Sequence, residues 1–487
     1  MNTETAQAHA ATHARIHKAV AQLLHDVGLP PLAAQDLQLT GSGAAYPSSF
    51  CVDIAGAAAL ASSTVASAQL AALRQPGSLP PQARIDLAHV LAETTGYFTL
   101  DGQLPAIWAP LSGLYACGAD VGEPGWLRIH ANFEHHRDGV LRLLGLPVDG
   151  LVKKEALALT LRSIAAIDFE EKAAAAGLVV AAIRTPAEWA AHPQSAAVAM
   201  QPLISITQLD SAVPAAPRTW PALQQGAAPL AGLKVLDLTR ILAGPVAARS
   251  LAAQGADVLM VNGPGLPNIE AIADVSRGKR SALLNLATAA GAMRLKDLLG
   301  DAHVLLQGYR PGAIGGLGFG AQAVAQLRPG IVYASLSAYG RNGPWADRRG
   351  FDSLVQTVSG INVTEAAAFG DAAPRALPMQ LLDYGAGFLL ALGMQAALYR
   401  QATQGGTWHV EVSLARVAQW LKSMGLRPVA GFDPAAKWQP SSLKPYLQTL
   451  DSGFGELTAV RHSGVLAGMP AHWPHAAMPP GSSAARW

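Results

Sequence analysis

From residue 233 onward the sequence alternates short apolar runs with helix-forming segments, and that alternation leaves few folds open. Leu233-Lys-Val-Leu-Asp-Leu, Ala256-Asp-Val-Leu-Met-Val, Ser281-Ala-Leu-Leu-Asn-Leu, Ala302-His-Val-Leu-Leu-Gln and Ile331-Val-Tyr-Ala-Ser-Leu each read as a strand. Between them lie predicted helices: one introduced by Gly244-Pro245 and running to Gly255, one at 288–300 and one at 320–327. Strands this apolar are buried on both faces, and strand–helix repetition produces parallel crossovers. The expected fold class is therefore α/β: a doubly wound, Rossmann-like parallel sheet as the large domain, joined to a smaller α+β domain. Ligands of such sheets bind beyond the carboxyl ends of the strands. That puts the loops at 239–245, 262–268, 307–313 and 337–350 around the expected site.

At 487 residues the chain has room for more than one domain and a large core. Half of it is hydrophobic, 14% is charged, and the net charge of +2 comes without a long basic run. Nothing in this balance asks for nucleic acid or a membrane surface as partner. The amino terminus, Met-Asn-Thr-Glu-Thr-Ala-Gln-Ala-His, lacks the order of a signal peptide, and the apolar run at 385–398 is short and interrupted by Gln395. Cys51 and Cys117 form neither a disulfide framework nor a zinc spacing. A cytoplasmic protein is the expectation.

One acidic residue stands out. In Met379-Gln-Leu-Leu-Asp383-Tyr-Gly-Ala-Gly, an apolar run ends at a single acid, and a long helix-forming stretch follows. Asp383 reads as an N-cap, with its carboxylate kept ionised by the helix dipole and left approachable by Gly385 and Gly387. A fainter version occurs at Tyr46-Pro-Ser-Ser-Phe-Cys-Val-Asp53-Ile-Ala-Gly, again followed by a helix of small residues. Further on, Ala83-Arg-Ile-Asp-Leu-Ala-His-Val resembles His409-Val-Glu-Val-Ser-Leu-Ala-Arg-Val, which suggests a divergent internal repeat. Residues 124–208 read as a small strand-and-helix unit. Its His130, His135 and His136 lack a carboxylate or cysteine at ligand spacing and read as a solvated face, not a metal site. The Pro- and Ala-rich stretch that follows reads as a linker. The resulting division is a degenerate partial copy at 1–120, a small domain at 121–215, a linker at 216–230, a catalytic domain at 231–424 and a tail at 425–487 packing on the large domain.

Familiar nucleotide motifs are missing. The loop after the first strand is Thr239-Arg-Ile-Leu-Ala-Gly-Pro, and the second strand ends at Asn262, so the dinucleotide fingerprint fails at both diagnostic places. There is no phosphate loop, no His-Glu-x-x-His and no nucleophile elbow. What remains is a set of apolar, Gly-rich loops, the cations Arg240, Arg277, Lys279, Arg280, Arg310 and Arg341, and one well-placed carboxylate. Such a carboxylate can serve as a base or as a nucleophile toward an acyl group.

Taken together, residues 230–420 resemble the family III coenzyme A transferases, the group that includes formyl-CoA transferase, carnitine CoA-transferases and α-methylacyl-CoA racemases. The matching pieces are Leu230-Ala-Gly-Leu-Lys-Val-Leu-Asp-Leu-Thr-Arg-Ile-Leu-Ala-Gly-Pro, Gly255-Ala-Asp-Val, Arg277-Gly-Lys-Arg-Ser, Gly308-Tyr-Arg-Pro-Gly, Ser337-Ala-Tyr-Gly-Arg-Asn-Gly-Pro-Trp-Ala-Asp-Arg-Arg-Gly-Phe-Asp, Ser359-Gly and the Asp383 stretch. Residues 124–208 resemble the family's small domain, here placed before the catalytic domain and not after it, as in a rearranged, partly deleted fusion.

The resemblance implies that Asp383 is the catalytic aspartate, attacking an acyl-CoA thioester to give an anhydride and then an aspartyl-CoA thioester. It also implies coenzyme A contacts at Ile241, Leu242, Ala243, Lys279, Leu284, Gly308, Tyr309, Arg310 and Ser337. Formyl-CoA transferase carries basic residues where this chain has Asn262, Ala287, Gly316 and Ser337, so the phosphate contacts are expected elsewhere, on Arg240, Lys279 or Arg310. Coenzyme A and acyl-CoA are implied as substrates with no tightly bound cofactor, a small carboxylic acid as the other partner, and a homodimer as the assembly. Racemases of the family carry a histidine just before the loop aspartate, where this chain has Phe351 before Asp352. A racemase-type enzyme or a catalytically impaired CoA-binding protein are the other readings. Asp53 reads as a relic or a cap.

Overall fold

A computed structural model describes residues 3–42, 46–210, 215–433, 440–469 and 471–487. The alternating region folds into a seven-stranded sheet. Its strands are β1 (Ser205–Leu209), β2 (Lys234–Asp237), β3 (Asp257–Asn262), β4 (Lys279–Leu283), β5 (Val304–Gln307), β6 (Val332–Ser337) and β7 (Thr407–Ser413). In space they run β4-β3-β2-β5-β6-β7-β1. All neighbours are parallel except the edge pair β7–β1, which is antiparallel. The strand order reverses between β2 and β5, which makes the gap beyond their carboxyl ends the switch point where such sheets bind ligands.

The five expected strands and three helices (Ala243–Ala253, Ala289–Asp301 and Ala321–Leu327) are present. Two strands were not expected. Thr407–Ser413 attracted notice only as an echo of residues 83–90, and 205–209 lies in sequence beside the small unit yet adds an edge to the large sheet.

Two long helices fill the core: Val52–Leu73, which carries Asp53, and Leu381–Gln404, which carries Asp383. Both are long and apolar enough by length and composition to cross a membrane, but both are almost wholly buried inside this protein. They pack on each other, and the Asp383 helix also packs on Ala243–Ala253 and β7. A helix that is apolar all round needs such company. A Cβ on Gly387 would lie 2.7 Å from the Ala243 carbonyl, and one on Gly393 2.6 Å from Val410 Cγ1. Gly387 thus serves helix packing and does not open the way to Asp383, while a Cβ on Gly385 would meet Val417 at 3.5 Å. A buried amide fixes the register of the helix pair. Gln395 Oε1 accepts from Ser67 Oγ at 2.6 Å, and its Nε2 donates to the Ser63 carbonyl and hydroxyl at 3.1 and 2.9 Å.

The echo in the sequence has a structural counterpart. Backbone angles just before the two helices are nearly equal, φ −79° and ψ 57° at Cys51 against φ −80° and ψ 60° at Gln380. In both halves a strand then leads into a capped helix: Asp86 accepts from the His89 amide, and Ser413 from the Arg416 amide.

The small unit is an antiparallel sheet of Gly113–Cys117, Gly125–Ile129 and Val180–Ala182, flanked by helices including Glu134–Leu143 and Ala166–Ala175. At the carboxyl end, the hairpin Leu447–Ser452 and Gly455–Val460 pairs with Phe98–Leu100, and Val465–Leu466 pairs with Ala83–Asp86. The last residue reaches the large domain, with Trp487 Nε1 donating to the Leu298 carbonyl at 2.9 Å. A buried charge cluster ties the same regions together. Arg249 pairs with Glu93 at 2.9 Å and with Asp274, Arg277 also pairs with Asp274, and His462 Nδ1 lies 3.1 Å from Glu93. Burial opposes ionisation of Glu93, but His462, Arg249 and Ser463 outweigh it and hold the carboxyl below its usual range.

Candidate active site

A cavity of about 370 Å³ opens at the switch point. All four expected loops line it: 240–243 after β2, Leu266 and Pro267 after β3, 308–311 and Ala313 after β5, and 337–338 with 348–351 after β6. Asp383 reaches it from the start of its helix, and Phe133, His135, His136 and Val179 close it from the small unit.

The loop after β2 is held in a costly shape. Ile241 has φ of 78°, a left-handed conformation that disfavours a β-branched residue by about 1–3 kcal/mol. Support comes from below. Asp237 accepts from the Thr239 amide at 2.9 Å, and Lys279 Nζ contacts Asp237 at 2.7 Å and the Pro245 carbonyl at 2.9 Å. Lys279 is 0% exposed, so its ammonium braces this loop and offers nothing to a ligand's phosphates. This corrects its expected role as a direct contact.

Asp383 does not cap its helix. The cap position is Gln380, and Asp383 stands in the first turn. The acid that receives the helix amides is Asp352, whose Oδ2 accepts from the Asp383 N–H at 3.0 Å. The two acids are close enough for the charge of Asp352 to act on Asp383, and among the described residues neither forms an ion pair, although Arg128 lends Asp352 some favourable charge. Asp383 is 8% exposed. Burial first, and then the charge of Asp352, raise its pKa well above the ordinary range. Asp352 is raised too, by burial, though amide bonds from Asp383 and Leu382 and the Gln356 side chain restrain the rise. The expectation that the dipole keeps Asp383 ionised is thus reversed. A helix end favours an anion by roughly 0.3–1 kcal/mol, and desolvation beside a second acid exceeds that. Both carboxyls therefore hold a proton to higher pH than an ordinary aspartate, and they titrate as a pair.

Of the expected ligand contacts, Ile241, Leu242, Ala243, Gly308, Tyr309, Arg310 and Ser337 line the cavity. Lys279 does not, and neither does Leu284, which packs against the apolar core on the other side of β2–β5. Of the other cations, Arg240 lines the cavity beside the Tyr309 ring, 5.8 Å from its centroid. Arg277 is buried against Asp274, Arg280 pairs with Asp257 at 2.7 Å, and Arg341 pairs with Glu411.

The three histidines expected on a solvated face are placed differently. His130 and His136 are buried, not solvated, and His135 and His136 face the cavity. His130 stacks on Phe351 with ring centroids 4.1 Å apart. Burial, then His136 and Arg128, push its pKa down to about 3. His136 is pushed down to about 4 by burial, His135, Arg349 and Arg240. Both imidazoles are neutral at neutral pH. Among the described residues no cluster of potential ligands could hold a metal ion.

Residues 230–430 match the profile of CoA-transferase family III. That segment is similar to the family, and no more of the chain is matched by its profile. Within it lie the sheet from β2 to β7, the strained loop and Asp383. The chain is 34% identical, over 40% of its length and 53% of the relative's, to a probable fatty acyl-CoA transferase of Mycobacterium tuberculosis. It is 33% identical, over 40% of its length and 53% of the relative's, to acetyl-CoA:oxalate CoA-transferase of Acetobacter aceti. A crystal structure of a Mycobacterium tuberculosis protein aligns with 34% identity over 41% of this chain and 57% of that one, with a TM-score of 0.37. The chain spans about half the length, or less, of the curated relatives it matches. The matched segment takes in β2 to β7 of the large sheet, while β1, the amino-terminal region and the small unit stand outside it.

Proposed function

We propose that this protein transfers coenzyme A between an acyl-CoA and a carboxylic acid, with Asp383 as nucleophile. The observation that carries the reading is the position of Asp383: an acid without a paired cation among the described residues, at the edge of a cavity on the switch point of a sheet whose strands β2 to β7 lie in the segment similar to family III. The names of the relatives, which include transferases using oxalate and glutarate, support the reaction class.

In the first step the ionised Asp383 attacks the thioester carbonyl carbon. The C–S bond breaks, the thiolate leaves, and an acyl–aspartyl anhydride forms. The thiolate then attacks the aspartyl carbonyl, releasing the donor acid and leaving an aspartyl-CoA thioester. An acceptor carboxylate reverses the sequence and regenerates Asp383. Proton balance fits the resting pair. Asp383 must lose its proton before it attacks, and Asp352, bonded to the Asp383 amide, fixes the start of the helix during both transfers. Arg240 and Arg310 stand on the loops where phosphates of coenzyme A would meet them, and a charge-assisted contact to each would orient the thioester.

The test is incubation with an acyl-CoA and hydroxylamine, followed by mass spectrometry. A hydroxamate at Asp383, absent in Asp383→Ala, is the expected result. Absence of the adduct together with unchanged acyl exchange in Asp383→Ala overturns the mechanism. One observation favours a second reading: His135 and His136 face the cavity and provide neutral imidazoles beside the acid pair. If 2-methylacyl-CoA exchanges its α-proton with deuterated solvent but coenzyme A does not change acids, proton transfer replaces CoA transfer as the activity.

A further inference from the structure

The end of the sheet opposite Asp383 carries a second cavity, of about 400 Å³. Arg328, Pro329 and Gly330 line it where the chain turns into β6, and Gln401 lines it from the last turn of the Asp383 helix. The Gly330 amide donates to Thr407 Oγ1 at 2.7 Å, which ties this turn to the start of β7. The remaining wall is the linker, with Ala215, Ala216 and Arg218. Roughly 27 Å of helix separates Gln401 from Asp383, so the two cavities are distinct.

The linker is pinned here by its backbone. The Gly406 amide donates to the Ala215 carbonyl at 2.7 Å, the Arg218 amide to the Gln401 carbonyl at 3.2 Å, and Gln401 Nε2 to the Ala216 carbonyl at 3.4 Å. The side chain of Arg218 takes no part, and among the described residues it has no hydrogen-bond or carboxylate partner. Arg328 makes one side-chain hydrogen bond among those residues, a long one of 3.5 Å from Nε to the Ala302 carbonyl.

The two guanidiniums act on each other and on their surroundings. Burial, and then the charge of Arg328, oppose ionisation of Arg218. Next to them, burial together with Arg218, Arg328, Lys234 and Arg74 pushes the pKa of His303 down to about 4. Two of these cations are satisfied within the chain. Lys234 pairs with Asp301 at 3.2 Å, and Arg74 donates to the carbonyls of Pro221, Pro229 and Ala231. Arg218 and Arg328 are the ones left over, and both face the cavity. Like charges held near each other by a fixed backbone are costly until an anion lies between them.

We propose that Arg218 and Arg328 bind a dianionic phosphoryl group, free or as a monoester, in this cavity at the amino ends of β6 and β7. Two guanidiniums match the charge of a dianion, and each presents paired N–H donors to its oxygens, whereas a carboxylate would neutralise only one. The volume leaves room for the organic part of an ester beside Pro329 and Ala216. Bound there, the phosphoryl group clips the linker between β1 and β2 onto the far end of the Asp383 helix. The site stands whether or not the protein transfers coenzyme A.

Inorganic phosphate and adenosine monophosphate are titrated calorimetrically into the full-length protein, with chloride adjusted to hold the ionic strength constant. Binding is expected to weaken at least about tenfold in Arg218→Gln and in Arg328→Gln. It is expected to persist in Arg310→Gln, which separates this cavity from the one at Asp383. Melting in phosphate-free buffer gives a second readout. Each of the first two substitutions removes one of two like charges and should raise the melting temperature. A fall with both assigns the arginines to the fold and overturns the proposal. So does binding that survives either substitution at full strength, that is lost in Arg310→Gln, or that is absent from the wild type at millimolar phosphate. A monoester bound more tightly than free phosphate identifies an organic ligand, and the reverse order identifies the free ion; both support the phosphoryl site.

Discussion

The two aspartate helices start from the same geometry and end with opposite chemistry. Asp53 and Asp383 both stand in the first turn of a long buried helix, and the backbone before each turn is nearly superimposable in its angles. Asp53 is 4% exposed and pairs with Arg427 at 2.9 Å. Asp383 meets another acid and a cavity. Burial is therefore not what distinguishes the surroundings of the two acids. The partner is. A cation opposite Asp53 holds its side chain in one place, whereas burial and the charge of Asp352 raise the proton affinity of Asp383. The cluster of Glu93, Arg249, Asp274 and Arg277 follows the Asp53 pattern, and the cavity with Arg240, Arg310 and Arg349 follows the Asp383 pattern.

The strongest way to break this comparison is to remove each acid in turn. Asp383→Ala is expected to lower kcat/KM for CoA transfer by at least about 10³-fold with little change in melting temperature, because loss of a nucleophile removes a bond-forming step. Asp53→Ala is expected to do the reverse. It leaves Arg427 without its buried partner and costs roughly 1–3 kcal/mol of stability, measured by urea unfolding, while transfer continues. If Asp53→Ala lost transfer as completely as Asp383→Ala, with its fold intact, the assignment of a structural role to Asp53 would fail.

A finer test alters the charge opposite Asp383. Asp352→Asn keeps an oxygen that can accept the Asp383 amide but removes the negative charge. In the proposed mechanism Asp383 attacks as the carboxylate, so transfer is expected to fall as pH drops through its raised pKa. In Asp352→Asn that acid limb should move to lower pH, since part of the upward shift comes from Asp352. An unmoved limb would show that burial alone sets the proton affinity of Asp383.

Much of the large domain was legible because its signals are local. An apolar run bounded by Gly or Pro is a strand whatever else the chain does, and the four loops around the cavity follow from strand direction alone. The missed features depend on what comes near from afar. His130, His135 and His136 look like a polar helix start, and nothing adjacent in sequence says that Phe351 will cover His130 or that Arg349 will meet His136, while His135 stays exposed. Lys279 sits in a stretch rich in cations, but only the pairing of β4 with β3, and of β3 with β2, brings it under Asp237. Arg348 and Arg349 are neighbours in sequence with opposite fates, decided by Glu170 and Glu171 on another unit. Asp383 was found by its setting, but its protonation was misjudged, because the acid that controls it lies 31 positions away.

The smallest expected effect is on stability, and its sign is the informative part. A carboxyl whose pKa is raised by folding holds its proton more tightly in the folded state. Its favourable contribution is complete below the unfolded pKa, near 4, and is lost as pH rises through the folded value. Within that window the loss runs at about 1.4 kcal/mol per pH unit for one proton. Asp383→Asn has no proton to lose. It should melt close to wild type at pH 4 and above wild type at pH 8, with the gap opening progressively between them. Asp53→Asn, which removes a carboxylate from a cation, should melt below wild type at pH 8. Two similarly placed acids would then respond to the same substitution in opposite directions, and parallel shifts would remove the distinction between an acid paired with a cation and one beside a second acid.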